Sequence, residues 1–242
     1  MRLRDMLIVV LVAVGSALVL KALVIDAIVV PSRSMEQTLL AGDFVLVNKL
    51  IYGARVGHSS AVASFPSFYV PGLRSVERGD VIVFQLPSVS ERVYYVKRCV
   101  GLPGDEVSIE NGAIMVNGIQ SESKRRTNTS ASFGPVHVPR SGDVLTLEPG
   151  ESAMWESLLR LEGHRLTEDE SQGVQIDGAP TSTYTVKNDY LFVLGDNLAH
   201  SDDSRSWGFL PEENVIGEAM IVYWSNDDQG GIRWDRIGTR VR

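Results

Sequence analysis

"DFVLVNKLIYG", residues 43–53, decides the fold class. Val45, Val47, Lys49 and Ile51 share one face, while Phe44, Leu46, Asn48 and Leu50 share the other. That two-residue period, rich in β-branched and aromatic side chains, predicts a strand with one face turned to a core. Outward from it, "GDVIVFQLP" (79–87), "RVYYVKRCVGLPGD" (92–105) and "EVSIENGAIMVNGIQ" (106–120) repeat the texture, each bounded by Gly, Pro or Asp turn signals. The last reads as a hairpin turning at Glu110-Asn111-Gly112, because Asn-Gly accepts positive φ. Residues 53–78, rich in Gly, Ser and Pro, are expected to form an exposed loop.

From about Ser121 to Asn188 the texture changes. "SESKRRTNTSASFGP" (121–135) is polar and turn-rich. "GESAMWESLLRLEGH" (150–164) is the one convincing soluble amphipathic helix, with Met154, Leu158, Leu159 and Leu161 as its apolar set. "DYLFVLGDN" (189–197) and "GEAMIVYWS" (217–225) then return to dense apolar strands. An insertion in a β core accounts for this order better than two consecutive domains, since the flanking strands would otherwise lack partners. The expected division is 1–27 as cytoplasmic N-terminus and membrane anchor, 28–120 and 189–242 as the two parts of a catalytic β core, and 121–188 as an inserted α+β region.

The anchor rests on "MLIVVLVAVGSALVL", Met6–Leu20, which carries no charge and continues as "ALVI" beyond Lys21. A spanning helix needs about 20 apolar residues, a length reached if Lys21 snorkels to the interface. Arg2 and Arg4 precede the run, which keeps the N-terminus cytoplasmic and sends the rest outward. A cleaved signal peptide also starts basic and then apolar, but "KALVIDAIVV" offers no small-x-small cleavage site.

Composition narrows the function. The 242 residues carry a net charge of −7, which argues against a nucleic-acid partner. One cysteine, Cys99, excludes an intrachain disulfide and a cysteine-based zinc cluster. The four histidines, His58, His137, His164 and His200, lack metal-ligand spacing, so no metal and no cofactor is expected.

Chemistry is suggested by "VVPSRSMEQTLLAGD" (29–43), which sets Ser32 and Ser34 two apart beside Met35. A serine becomes a nucleophile only when a base takes its proton, and its transition state needs donors for an oxyanion. His200 in "GDNLAHSDDSR" (195–205) lies near carboxylates, but a histidine in such a polar loop more often sits in solvent. Of the five lysines, Lys21 belongs to the apolar run, and Lys124 and Lys187 sit in polar turns. Lys49 and Lys97 remain, both among apolar neighbours where burial makes a neutral amine available. Periodicity does not choose between them, and either one alone reads equally as a strand-edge lysine with its ammonium in water.

Taken in order, these segments resemble the bacterial type I signal peptidases, membrane-anchored Ser-Lys endopeptidases of peptidase family S26. "VPSRSMEQTLLAGDFVLVNKLIYG" resembles the family's nucleophile segment; "RGDVIVF", "YYVKRCVGLPGDEV" and "LGDNLAHSDDSRSWGFLPEENVIG" resemble its later boxes. The resemblance covers the anchor and β core but not the middle insertion. It implies a mostly β catalytic fold, Ser34 as nucleophile and Lys97 as general base. It also implies that the Ser32 hydroxyl and the Ser34 backbone N–H form the oxyanion hole, that Ser201 orients the lysine, and that Asp203 and Arg205 form a supporting ion pair. Val30, Met35, Leu39, Val45, Val83, Tyr95 and Val96 would line shallow apolar pockets for a small-x-small site at the end of a signal peptide.

The implied partners are signal peptides of preproteins emerging from the translocation machinery and the lipid bilayer, with the enzyme a monomer. Its implied place is the inner membrane, crossed once, with the catalytic domain on the periplasmic side. The sequence departs from the family at Leu198-Ala199-His200, where Arg-Asp-Asn is common, at Gln37 in place of proline, and at Cys99 in place of a small apolar residue. Two other readings stand beside this one. An inactive membrane-anchored β-rich scaffold would not need both serine and lysine, and a self-cleaving repressor-type module would need a DNA-binding motif.

Overall fold

A computed structural model describes residues 3–56, 68–86, 93–121, 132–148, 152–169 and 173–242. Along the chain, helix α1 (Leu3–Leu23) is followed by strands β1 (Ile25–Val29), β2 (Asp43–Asn48), β3 (Ala54–Val56) and β4 (Phe68–Val70). Next come β5 (Val81–Gln85), β6 (Tyr94–Gly101), β7 (Glu106–Glu110), β8 (Ala113–Val116) and β9 (Ile119–Gln120). The region expected as an insertion contributes β10 (Phe133–His137), β11 (Val144–Thr146), helix α2 (Ser152–Leu161), β12 (Leu166–Asp169), β13 (Gly173–Ile176), β14 (Ala179–Pro180) and β15 (Thr183–Thr185). The chain closes with β16 (Tyr190–Leu194), the one-turn helix α3 (Ser204–Trp207), β17 (Leu210–Pro211) and β18 (Val215–Ser225). The mostly β class expected from the periodicity is the class observed.

These elements gather into two compact units that alternate along the chain. The first comprises Met1–Pro31, Leu39–Ser75 and Ile216–Arg242. In it β1 pairs antiparallel with β2, Ile28 opposite Val45, and β2 pairs antiparallel with β18, Val222 opposite Val45. The alternation in β2 is realised: Asp43, Val45 and Val47 are buried, and Phe44, Leu46 and Asn48 are half-buried. The ends of the loop expected over 53–78 pair with each other as β3 and β4, so that stretch is not irregular throughout; residues 57–67, with His58, lie outside the described residues.

Helix α1 is 21 residues long and ends at Leu23. Ile25 to Ala27, expected within the anchor, instead belong to β1, where pairing with β2 satisfies the backbone that a helix would otherwise bond internally. Described α1 side chains run from Arg4 to Gly15, and Met6–Val12 and Val14 are exposed. Among the described residues no helix is long and apolar enough to cross a membrane.

The second unit comprises Ser32–Thr38 and Val76–Val215. Its β5 pairs antiparallel with β6, β6 with β16, and β16 with β17, so strands from before and after residues 121–188 are neighbours. The β7–β8 hairpin turns at Asn111-Gly112, both with positive φ (51° and 78°), as that dipeptide leads one to expect. Helix α2 presents Leu158 and Leu159, both fully buried, to a core shared with Ile109, Tyr190, Phe192 and Phe209. Leu161 packs at its margin, and the Met154 side chain lies outside the described residues.

Candidate active site

Every polar group expected at the reacting centre belongs to the second unit. Pro31 has no backbone N–H to donate, and the chain after it turns tightly: the Glu36 N–H donates to the Arg33 carbonyl (3.1 Å) and the Thr38 N–H to the Met35 carbonyl (2.8 Å). Met35, 1% exposed, anchors this turn in the core and carries Ser34, itself buried, with it.

Lys97 lies in the middle of β6, opposite Ile82 of β5, on a strand buried from Val96 to Gly101. Its Nζ donates to Ser34 Oγ at 2.7 Å, joining residues 63 positions apart. Burial lowers the Lys97 pKa from its ordinary value; the Asp203 and Asp202 charges oppose that shift and Arg205 assists it. Ser32 Oγ stands 3.2 Å from Ser34 Oγ on the exposed side of the turn. The hydroxyl pair and the amine thus make a continuous chain from solvent to a desolvated base.

The loop after β16 completes the site. Gly195 N–H donates to Asp203 Oδ2 (3.0 Å), and Arg205 Nε donates to Asp203 Oδ1 (2.7 Å), so the fully buried Asp203 carboxylate is paired. A Cβ on Gly195 would stand 2.6 Å from the Ser34 carbonyl oxygen and would overlap the Ser201 hydroxyl; the loop passes this close only because position 195 has no side chain. Ser201 Oγ is buried and has no hydrogen-bond partner among the described residues, so its expected bond to Lys97 is not made here.

Residues that sequence reasoning gave no role also hold the turn. Arg98 Nε and Nη2 bind Asp196 bidentately (2.8 and 3.0 Å), and Thr38 Oγ1 donates to Asp196 Oδ2 (2.6 Å). Burial pushes the Arg98 guanidinium down to about 10, still charged at neutral pH. The available signal was two successive cations, Lys97 and Arg98, inside an apolar strand; both faces of that strand are buried, so each charge needs a partner. Asn197 adds its backbone N–H to the Ser34 carbonyl (2.9 Å) and its Nδ2 to the Arg33 carbonyl (3.3 Å) and Glu36 Oε2 (3.1 Å).

His200 is exposed and its Nδ1 faces Asn197 Oδ1 (3.3 Å) rather than a carboxylate. Lys49 is only half-buried, just past the end of β2 in the first unit. Lys124 lies outside the described residues. Of the residues expected to line pockets, Met35, Val83 and Val96 are buried and Tyr95 half-buried in the second unit, whereas Val30, Leu39 and Val45 are buried in the first. Among the described residues no group of three His, Cys, Asp or Glu side chains is placed to hold a metal ion.

A family model described as "Signal peptidase, peptidase S26" matches residues 3–224. Signal peptidase I of Pseudomonas aeruginosa is 32% identical over 87% of this chain and 69% of its own length. That of Rickettsia typhi is 32% identical over 87% of this chain and 79% of its own. That of Buchnera aphidicola subsp. Baizongia pistaciae is 29% identical over 91% and 78% respectively.

Proposed function

The chain belongs to the signal peptidase, peptidase S26 family, and we infer from that membership that it is a serine endopeptidase removing signal peptides from preproteins. We propose Ser34 as its nucleophile and Lys97 as its base; the observation that carries this assignment is the 2.7 Å contact between Lys97 Nζ and Ser34 Oγ in a buried site.

An ammonium cannot accept a proton, so the reactive form has Lys97 neutral, a state that its burial favours. The neutral amine takes the Ser34 proton as Oγ attacks the scissile carbonyl, and the negative charge moves to the carbonyl oxygen. The Ser32 hydroxyl and the Ser34 backbone N–H are the donors available to that oxyanion; losing one typically costs about 2.7–4 kcal/mol in the barrier. As the C–N bond breaks, Lys97 returns its proton to the departing amine, the new N-terminus of the mature chain. Lys97 then takes a proton from the water that attacks the acyl-Ser34 ester and passes it to Ser34 Oγ as the C–O bond breaks, which frees the signal peptide and restores the neutral amine.

Substrate would lie extended along Tyr94–Val96 of β6, with Met35, Val83, Tyr95 and Val96 shaping pockets for small side chains. A membrane anchor is suggested by the uncharged run Met6–Leu20, whose described apolar side chains are exposed. With Arg2 and Arg4 ahead of that apolar run, the N-terminus is cytoplasmic and the site faces the periplasmic side, where preproteins emerge.

The test is processing of a model preprotein by folded Ser34→Ala, Lys97→Ala and His200→Ala proteins. Ser34→Ala and Lys97→Ala should lose cleavage, and His200→Ala should keep it. Normal cleavage by Lys97→Ala, or complete loss in His200→Ala alone, overturns the assignment.

A further inference from the structure

Leu198 is out of character for its surroundings. It sits among Asp, Asn, His and Ser in "GDNLAHSDDSR", yet it is 5% exposed and joins the apolar core of the second unit with Leu158 and Leu159 of α2. Helix α2 meets the chain just beyond that segment at two points. The Trp155 ring stacks on Phe209 (centroids 6.2 Å, planes 17° apart), and Ser157 Oγ occupies the space beside Gly208, 2.7 Å from where a Cβ would stand.

On its polar side Leu198 directly follows Asp196 and Asn197, the pair that grips the nucleophile turn through Thr38, the Ser34 carbonyl and the Arg33 carbonyl. Its own carbonyl accepts from Arg205 Nη2 (2.8 Å), so its backbone is tied to the Asp203 pair as well. One residue therefore has its side chain in a core that the 121–188 region shares with β6, β7 and β16, and its backbone in the clasp around Ser34.

We propose that Leu198 is a positioning residue: through it the core to which helix α2 contributes Leu158 and Leu159 fixes the Asp196–Asn197 clasp and holds Ser34 Oγ within proton-transfer distance of Lys97 Nζ. This rests on the Ser34–Lys97 reading and gives the 121–188 region a part in the reaction without any contact to substrate. Apolar packing suits the task because a leucine wedged among close-packed neighbours has few alternative positions, whereas an exposed polar loop has many.

The experiment uses the full chain in detergent with a model preprotein. Leu198→Ala lowers kcat on the order of 10²-fold, the cost of a displacement of about 1 Å, with KM within about twofold. It also moves the rising limb of the pH–rate curve to higher pH, because a loosened clasp admits water to Lys97. Leu198→Met, which conserves volume, recovers kcat to within about threefold.

Val174→Ala is the control. Val174 is 4% exposed in the same core but lies on β13, which carries no residue of the clasp, so its kcat and pH limb per folded molecule stay those of the wild type. Wild-type kcat and pH limb in Leu198→Ala, or the same losses in Val174→Ala, overturn the proposal. If Leu198→Ala does not fold, Leu198→Val carries the same comparison. Lys97→Ala run in parallel separates the two readings: cleavage retained there defeats the dyad, while cleavage lost there with wild-type behaviour in Leu198→Ala defeats the positioning role alone.

Discussion

At the scale of single residues, the balance of charge around Lys97 sets when the site is active. Burial disfavours the ammonium, while the Asp203 and Asp202 carboxylates favour it and Arg205 offsets them. The Asp203–Arg205 pair therefore supplies order without the full field of a bare carboxylate. Activity should climb with pH as Lys97 deprotonates, with a midpoint below the ordinary lysine value of 10.5. Arg205→Met exposes Lys97 to the unopposed Asp203 charge, raises the proton affinity of the amine, and moves that midpoint to higher pH. A pH–rate profile of kcat/KM checks both statements, and a rate flat from mildly acidic to alkaline pH contradicts the first.

Among elements, the site depends on three pieces brought together: the Ser32–Thr38 turn, strand β6, and the loop that follows β16. Arg98 and Asp196 join all three, since Arg98 lies on β6, Asp196 in the loop, and Thr38 at the end of the turn. Both charged side chains are buried, 7% and 3% exposed. Such a pair contributes little when compared with apolar packing, but removal of one partner strands the other without solvent. Asp196→Ala should cost about 3–5 kcal/mol in urea unfolding, well beyond the effect of a surface carboxylate. The local forms of the pieces were legible in the sequence: alternation gave β2, Asn111-Gly112 gave its hairpin, and the 3.6-residue period gave α2 with Leu158 and Leu159 inward. The extent of pairing around 53–78 was not legible, because three-residue strands such as β3 and β4 are too short to show a period.

At the scale of the whole molecule, each unit closes on its own buried charges. In the first, Asp43 of β2 is fully buried and accepts from Arg236, Ser225 Oγ (2.7 Å) and the Leu40 N–H (2.8 Å), which ties the C-terminal segment to the sheet. Burial acts to raise the Asp43 pKa, and these bonds, Arg236 foremost, overcome it and hold the carboxyl below its ordinary 3.8. The resulting stability is present above pH 3.8 and is lost as pH falls through the lower folded value. Arg236→Ala leaves burial unopposed by its strongest partner, so acid unfolding followed by circular dichroism should begin at higher pH, with a loss of about 3–5 kcal/mol at neutral pH. By itself the sequence determined the periods, the turns and the chemical inventory of this protein, because those depend on neighbours within a few positions. It left Lys49 and Lys97 equivalent by periodicity, and only resemblance to a family separated them. Tertiary structure decided which amine meets Ser34, that Leu198 faces a core, and that Ser201 has no bond to Lys97, because proximity and desolvation are set by residues tens of positions away that no local pattern records.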